Sequence, residues 1–150
     1  MKSATLILTV FAILIATASA SPGSRSTSTG PGPIATVVRH RGLCYRGTTS
    51  PGMECRSVVT ITDRWISAPG VRRRALTRSE RADLLTAIRG IDAGYLRRHP
   101  FRGTCPTAFD GQESIYRFRG FRGQLASCTY DLRGVSAVTL VNRLIDELGR

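Results

Sequence analysis

Along the middle of the chain, hydrophobic and polar positions alternate with a period of two, which is typical of β-strands. The alternation is clearest over residues 55–62, and residues 36–45 are expected to supply a partner strand across a hairpin. A two-residue turn at 63–64 then reverses the chain, so that Ile61 faces Ile66 across a hairpin. Proline and glycine at 69–70 break the run. The pattern predicts three consecutive strands in this part of the chain.

Two later segments have a helical period instead. Residues 77–80 have the Ser/Thr-x-x-Glu sequence of a capping box, and apolar residues recur after them every three or four positions. These apolar residues are Leu84, Leu85, Ile88, Ile91 and Tyr95. Gly94 and Pro100 close the segment. Ser136 is expected to cap a second helix. Its buried stripe consists of Val138, Val141, Leu144, Ile145 and Leu148.

Between the two helices lie two short predicted strands, 115–119 and 124–130, joined through a turn at 120–123. The element order is therefore strand, strand, strand, helix, strand, strand, helix. We expect an α+β fold, in which a small antiparallel sheet of about five strands is covered on one face by two helices. The apolar stripes are interpreted as the hydrophobic core rather than as cofactor sites.

The ends of the chain divide it into three parts. Residues 1–20 have a positive start, a short apolar run and a small-residue cleavage site, and are predicted to be a signal peptide. This apolar run is too short to span a membrane. Residues 21–33 contain only Ser, Pro, Gly, Thr and one Arg, and are predicted to be a flexible leader. Residues 34–150 are predicted to form one domain, secreted to the extracellular space.

All four cysteines fall in this domain, and an even number in an exported chain predicts two disulfides. The stretch CYRGTTSPGMEC is nearly symmetric about its centre, so a hairpin there would place Cys44 directly opposite Cys55. That pairing leaves Cys105 with Cys128. A zinc site is the alternative, but the chain has no CxxC pair, and an oxidising compartment favours disulfides.

The charge is strongly positive, at +12, and almost all of it comes from arginine. Such a surface attracts acidic polymers, whether nucleic acid, cell-wall phosphate or an anionic membrane. Arg117, Arg119 and Arg122 lie on or near one predicted hairpin, where we expect weak, salt-sensitive binding of polyanions without a specific nucleic acid sequence. The denser clusters at 72–74 and 97–99 are interpreted as solvated turns.

Little in the sequence indicates catalysis. The two histidines, His40 and His99, belong to no metal-ligand spacing, and His40 is interpreted as a core histidine on the strand face of Val38. There is no nucleophile elbow, no phosphate-binding loop and no unpaired cysteine in the predicted scheme. Asp110 and Glu113 could form a carboxylate pair, but a turn cap and a solvated side chain are the commoner roles. We therefore predict no enzyme, no metal and no cofactor.

Two resemblances bear on function. From CYRG to the last helix, the domain resembles small exported actinobacterial proteins without assigned function. The segment Cys105–Asp110 is similar to the reactive loop of the Streptomyces subtilisin inhibitor family, in which Cys-Pro-x-x-Tyr-Asp precedes a β-hairpin. This resemblance implies an extracellular protease as partner, with Thr107–Ala108 as the bond presented to it. The inhibitory residues it implies are Pro106, Thr107, Ala108, Phe109 and Asp110.

The stretch GTCPTAFDGQES, residues 103–114, therefore has two interpretations. As a reactive loop, it makes the protein a secreted binding domain that inhibits a protease. As a corner held by a disulfide, it leaves a basic domain that binds polyanions or the cell surface, or a purely structural domain. The residues leave these alternatives open and indicate no oligomeric state.

Overall fold

The computed structural model describes residues 32–42, 55–109 and 111–149. The predicted signal peptide and all but the last two residues of the predicted leader lie outside these ranges. The strands are β1 (Ala35–Arg41), β2 (Arg56–Ile61), β3 (Trp65–Ala68), β4 (Val71–Ala75), β5 (Gln112–Phe118) and β6 (Leu125–Ala126). The helices are α1 (Arg78–Arg89), α2 (Ala93–Arg98) and α3 (Ser136–Leu148), with a 3₁₀ turn at Pro106–Ala108.

The strands form one antiparallel sheet in the order β4-β3-β2-β1-β5-β6. The predicted α+β class is confirmed, although the described residues hold six strands and three helices where about five strands and two helices were expected. The predicted pairing of Ile61 with Ile66 is also confirmed. Strand β1 lies between β2 and β5, so the first strand of the chain is central to the sheet.

Strand β4 was not predicted, because proline and glycine at 69–70 were interpreted as the end of the strands. They form instead the turn of a hairpin, in which Gly70 has a φ of +69° that favours glycine. The three arginines at 72–74, interpreted as a solvated turn, belong to this strand. Charged side chains and the irregular register opposite β3 discourage an edge strand from pairing with another chain.

Two helix ends also differ from prediction. Helix α1 has the expected capping box between Thr77 and Glu80, but it ends at Gly90 rather than continuing through the helical period. Asp92 then caps a separate short helix, α2, by accepting a hydrogen bond from the backbone N–H of Gly94. Helix α3 begins at Ser136 without a side-chain cap, so the predicted cap there is wrong.

The hydrophobic core lies between one face of the sheet and the three helices. From the sheet it contains Val37, Val59, Ile61, Ile66, Tyr116 and Phe118. From the helices it contains Leu84, Ile88, Leu96, Val138, Val141, Leu144, Ile145 and Leu148. The predicted stripe of α3 is thus buried, whereas of the stripe predicted for the first helix Leu84 and Ile88 are buried and Leu85, Ile91 and Tyr95 are only partly buried. The helices cover one face, as expected. None of the helices described here combines the length and apolar character that crossing a bilayer requires.

One disulfide, Cys105–Cys128, is present among the described residues, as predicted, with the two Cα atoms 5.2 Å apart. The other predicted pairing stays a prediction, because Cys44 lies outside the described residues. Its expected alignment is wrong, however. The backbone N–H of Arg41 donates to the carbonyl of Cys55 at 3.1 Å, so the β1–β2 register puts Cys55 opposite Arg41 and not opposite Cys44.

The turn between β2 and β3 is tied to distant parts of the chain through Asp63. Its carboxylate accepts two hydrogen bonds from Arg119, at 2.8 and 3.0 Å, and one from Arg81 of α1 at 2.8 Å. The bonds from Arg119, and after them those from Arg81, outweigh burial and lower the pKa of Asp63 to about 2. This ion-pair group joins the sheet to the helical layer.

We expect Asp63→Asn to lower the free energy of unfolding by about 1 kcal/mol at pH 7. The pKa of Asp63 is lower in the folded protein than its ordinary value of 3.8. The stabilisation is therefore complete above pH 3.8 and is lost as the pH falls through about 2. Urea unfolding of both proteins across this range measures the difference, with Asp83→Asn on the exposed face of α1 as control. A difference that is independent of pH contradicts this account.

Candidate functional site

The predicted inhibitory residues form a compact turn. Pro106–Ala108 is a 3₁₀ turn, in which the N–H of Ala108 donates to the carbonyl of Cys105 at 2.9 Å. The N–H of Phe109 donates to the carbonyl of Pro106 at 3.0 Å. The Thr107–Ala108 bond thus lies inside a hydrogen-bonded turn rather than in an extended segment. Asp110, the last of the predicted residues, lies outside the described part of the chain.

This turn packs against the end of β1 at Gly42. A β-carbon on Gly42 would collide with the carbonyl oxygen of Thr107 and would lie 2.5 Å from that of Phe109. The N–H of Gly42 also donates to the carbonyl of Gly111 at 2.9 Å. Together with the disulfide at Cys105, these contacts are what a fixed corner requires. The side chain of Phe109 remains 70% exposed.

The three arginines predicted to bind polyanions have different surroundings. Arg119 is half-buried in the ion pair with Asp63 and is therefore not available to a ligand. Arg117 is exposed and donates to the side-chain oxygen of Gln124 at 3.2 Å. Arg122 is exposed and has no side-chain partner among the described residues. Arg117 and Arg122 thus have no carboxylate partner among the described residues.

The face of the sheet that the helices do not cover is a second surface of interest. Val38 pairs with Val58 on one side and with Ile115 on the other. Because side chains alternate along a strand, these three lie on the face opposite the buried Val37. Val38 is buried but does not belong to the core. This surface, centred on Val38, is called the helix-free face below.

Arginines flank the row of aliphatic residues, Val58, Val38 and Ile115, on the helix-free face. Arg117 lies beside Thr36, and Arg56 lies beside His40, so both project from this face. His40 was predicted to be a core histidine, and this is wrong. It is half-buried on the helix-free face, outside the core, between Arg56 and Glu113.

Strand β3 adds an aromatic side chain to the same face. Trp65 is 39% exposed, and the guanidinium of Arg73 lies 4.7 Å from the centre of its ring. A cation at this distance is attracted by the ring face. Stacking also holds the arginine extended and exposed, which keeps its charge accessible.

The charges of the described residues are divided unequally between the two layers. Helices α1, α2 and α3 together have six arginines and four carboxylates. The described strands and their turns have ten arginines but two carboxylates, Asp63 and Glu113. Of these ten, Arg74 and Arg119 form ion pairs. The other eight, which have no carboxylate partner in the described ranges, are Arg39, Arg41, Arg56, Arg64, Arg72, Arg73, Arg117 and Arg122.

A cleft lies at the end of α2, between residues 98–103 and 131–133. Its cavity has a volume of about 540 Å³. Backbone contacts hold its two walls together: Asp131 donates to the carbonyl of His99 at 2.9 Å, and Phe101 donates to that of Thr129 at 3.0 Å. The cleft is therefore a fixed feature of the fold.

Three arginines line the cleft, against one carboxylate. Arg133 holds Asp131 with its closest contact at 2.6 Å, and these hydrogen bonds lower the pKa of Asp131 to about 2. Arg98 lies 3.7 Å from Asp92, which is outside the cleft, and both side chains are exposed. Arg102 has no carboxylate partner in the part of the chain described. The cleft thus has a net positive charge.

The ring of His99 is fixed at the edge of this cleft. It stacks on Tyr95 with ring centres 3.9 Å apart, and its Nδ1 lies 2.9 Å from the carbonyl oxygen of Tyr95. Because a carbonyl only accepts, Nδ1 carries the proton in this bond. The carboxylate of Asp131 lines the same cleft and interacts electrostatically with His99.

One group of possible metal ligands occurs in the described residues, formed by Cys105, Glu113 and Cys128. The two sulfurs are joined to each other, and a disulfide sulfur lacks the thiolate charge that binds metals. The group is better described as a carboxylate beside a disulfide.

Comparison of the chain with protein-family models, with curated proteins and with solved structures finds no match to any of them. The functional argument therefore depends on the geometry alone.

Two features of the site escaped sequence reasoning. The cleft residues Arg98 and His99 were noticed as a charged cluster, but their approach to Asp131 and Arg133 depends on a contact across more than thirty residues. Arg73 was noticed for its charge, but its position over Trp65 follows from strand β4, which was not predicted. A signal for the contact between Arg73 and Trp65 was present in the sequence, because the arginines lie opposite the tryptophan across a Pro-Gly turn.

Proposed function

We propose that this protein is an exported domain that binds anionic polymers of phosphate or sulfate groups through the arginines of the helix-free face. The observation that carries the proposal is the unequal charge of the two layers. The three helices have six arginines against four carboxylates, while the described strands and turns have ten arginines against two carboxylates. Export is supported by the sequence of residues 1–20.

The arrangement suits an extended polyanion. Arg56 and Arg117 project from neighbouring strands on either side of β1, and Arg73 stands over Trp65 toward the far edge of the sheet. Each guanidinium can donate two parallel hydrogen bonds to a phosphate or a sulfate. Contacts to phosphate or sulfate groups carry no sequence information, so binding is expected to depend on charge spacing rather than sequence.

We expect the protein to bind a mixed-sequence DNA duplex and heparin at low salt, with affinity that falls steeply as salt rises. The triple variant Arg56→Gln, Arg73→Gln, Arg117→Gln should make the negative slope of log affinity against log salt shallower by about 2 to 3, because each phosphate contact contributes about 0.9 to its steepness. Fluorescence anisotropy of a labelled duplex over about 0.02–0.3 M salt measures the slope.

The matched control removes the same charge from the helical side. Arg78, Arg89 and Arg97 are exposed and lie on α1 and α2. Their triple change to Gln should leave the slope within about one unit of the wild type. Equal losses in both triples would mean that total charge, and not the helix-free face, controls binding. Absence of binding at low salt, or binding that persists in about 0.5 M salt, would overturn the proposal.

Inhibition of an extracellular protease through residues 103–114 stays a prediction, and the geometry gives it less support. An inhibitory loop is pre-organised in the extended shape of a bound substrate. The Thr107–Ala108 bond lies in a 3₁₀ turn, and the N–H of Ala108 is used inside the turn. Phe109, exposed at the end of this turn, is the side chain best placed to contact a protein partner.

A further inference from the structure

The cleft beside α2 adjoins a second cavity. This cavity has a volume of about 440 Å³ and shares Phe101, Asp131 and Arg133 with the first. Each volume is in the range of small-ligand pockets. The two cavities differ in lining: the first is basic, and the second has aromatic rings with hydroxyl and amide groups. A ligand that occupies both would need an anionic group at one end and a polar ring at the other.

The basic half contains three arginines and one carboxylate, Asp131. Arg98 and Arg102 both line the cavity; Arg102 has no carboxylate partner among the described residues, and Arg98 has only a long contact, at 3.7 Å, with the exposed Asp92 outside the cavity. The carboxylate of Asp131 is held by Arg133 and by the backbone N–H of that residue, so its charge is already compensated. An incoming carboxylate, sulfate or phosphate would therefore meet donors and little repulsion.

The second half has the groups that recognise sugars. The hydroxyl of Tyr116 donates to the side-chain oxygen of Asn142 at 3.0 Å, which leaves the amide NH₂ of Asn142 free to donate. Phe101 and Tyr130 add aromatic rings to the same cavity. A glycine at 103 lets the Phe101 ring lie against the chain, since a β-carbon there would be 2.9 Å from its Cζ.

We propose that this double cleft binds a sugar bearing one anionic group, with the anion at Arg98 and Arg102 and the sugar ring between Phe101 and Asn142. The site is distinct from the helix-free face, because Tyr116 lies on the helical side of the sheet. It would take a single acidic sugar or the acidic end of a saccharide chain. Carboxylate, sulfate and phosphate sugars share the chemistry that the cleft recognises.

The test is to titrate the ¹⁵N-labelled protein with glucuronate and, separately, with glucose 6-phosphate, at a fixed ionic strength of about 0.15 M. Two-dimensional NMR spectra recorded at each step monitor the binding. We expect a Kd of roughly 1 mM for at least one of them, with shifts confined to the amides of Phe101, Arg102, Tyr130 and Asn142. Glucose and inorganic phosphate, each representing half of the ligand, should bind at least about tenfold more weakly. Comparison of the two acidic sugars tells which anion the arginines prefer.

Variants separate the two halves of the site. The double variant Arg98→Gln, Arg102→Gln should weaken binding of the acidic sugar at least tenfold, and Phe101→Leu should weaken it while leaving the affinity for inorganic phosphate unchanged. Arg89→Gln with Arg97→Gln removes the same charge outside the cavity and should change neither affinity. Thermal unfolding checks that each variant keeps the fold.

Three outcomes would overturn the proposal. They are equal binding of glucose and glucuronate, equal binding of inorganic phosphate and the sugar phosphate, and no shift at the named amides with about 20 mM ligand. The triple variant of Arg56, Arg73 and Arg117 should still bind the acidic sugar. Loss of polymer binding with sugar binding intact, or the reverse, therefore tells which of the two proposed sites has failed.

Discussion

Alanine in place of Gly42 is expected to lower the free energy of unfolding by about 2 kcal/mol. The added β-carbon would collide with the carbonyl oxygen of Thr107 and would lie 2.8 Å from its carbonyl carbon. Both are backbone atoms, so no side-chain rotation relieves the contact. The segment cannot retreat freely, because Cys105 is bonded to Cys128 and Gly111 donates to the carbonyl of Pro106. Urea unfolding followed by circular dichroism measures the loss.

The control is Gly32→Ala, since a β-carbon at Gly32 would have no atom within 4 Å. Its carbonyl accepts from Arg119 whichever side chain is present. A loss below about 0.5 kcal/mol for Gly42→Ala would mean that residues 105–109 are not packed on β1 in solution. That result would favour an exposed loop that binds a partner over a fixed corner. It would support the hypothesis that residues 103–114 inhibit a protease.

The part of the fold that the sequence predicted is the part governed by neighbours along the chain. Alternating side chains and a two-residue turn gave the β2–β3 hairpin with the pairing of Ile61 and Ile66. The Ser/Thr-x-x-Glu signal gave the start of α1. Strand β4 was missed because arginines at 72–74 hide the alternation, and because a Pro-Gly pair both ends strands and connects them.

The contacts that could not be predicted from the sequence are those that depend on the order of the strands in the sheet. Ala35 of β1 pairs with Ile61 on one side and with Phe118 on the other. Asp63 lies two positions after Ile61, and Arg119 lies one position after Phe118. The two residues are therefore brought together although 56 positions separate them in the sequence. Nothing local to Arg119 distinguishes it from Arg117, so both were assigned to the polyanion surface. The position of β1 between β2 and β5 brings Arg119 to Asp63 and leaves Arg117 without a carboxylate partner among the described residues.

The candidate cleft shows the same limit for function. Each wall was visible in the sequence as a charged turn, and a charged turn is usually only solvated. The walls become a site because the chain after α2 pairs with the chain after β6, through Pro100 and Tyr130. A single isolated bridge of this kind has no periodic signal. Charge composition led to the anionic ligand proposed here, while the proposed place of binding required the fold.

Removing the disulfide by Cys105→Ala with Cys128→Ala is expected to lower the free energy of unfolding by about 3 kcal/mol. The bond closes a loop with a sequence separation of 23 residues, and a loop of that size restricts the unfolded chain by about that amount. Substitution is preferred to reduction, because it leaves the other cysteines untouched. Urea unfolding of the double variant measures the loss, and a loss below about 1 kcal/mol would contradict it.

The same variant decides whether the bridge and Gly42 act on one segment. With the bridge present, residues 105–109 are held on β1 and cannot yield to a β-carbon at Gly42. With the bridge removed, the segment is free to shift, so Gly42→Ala should cost about 1 kcal/mol less than in the wild type. Losses that simply add would show that the bridge does not fix this segment. A double loss smaller than the sum of the two single losses would identify the 103–109 stretch as a corner that the disulfide holds against the sheet.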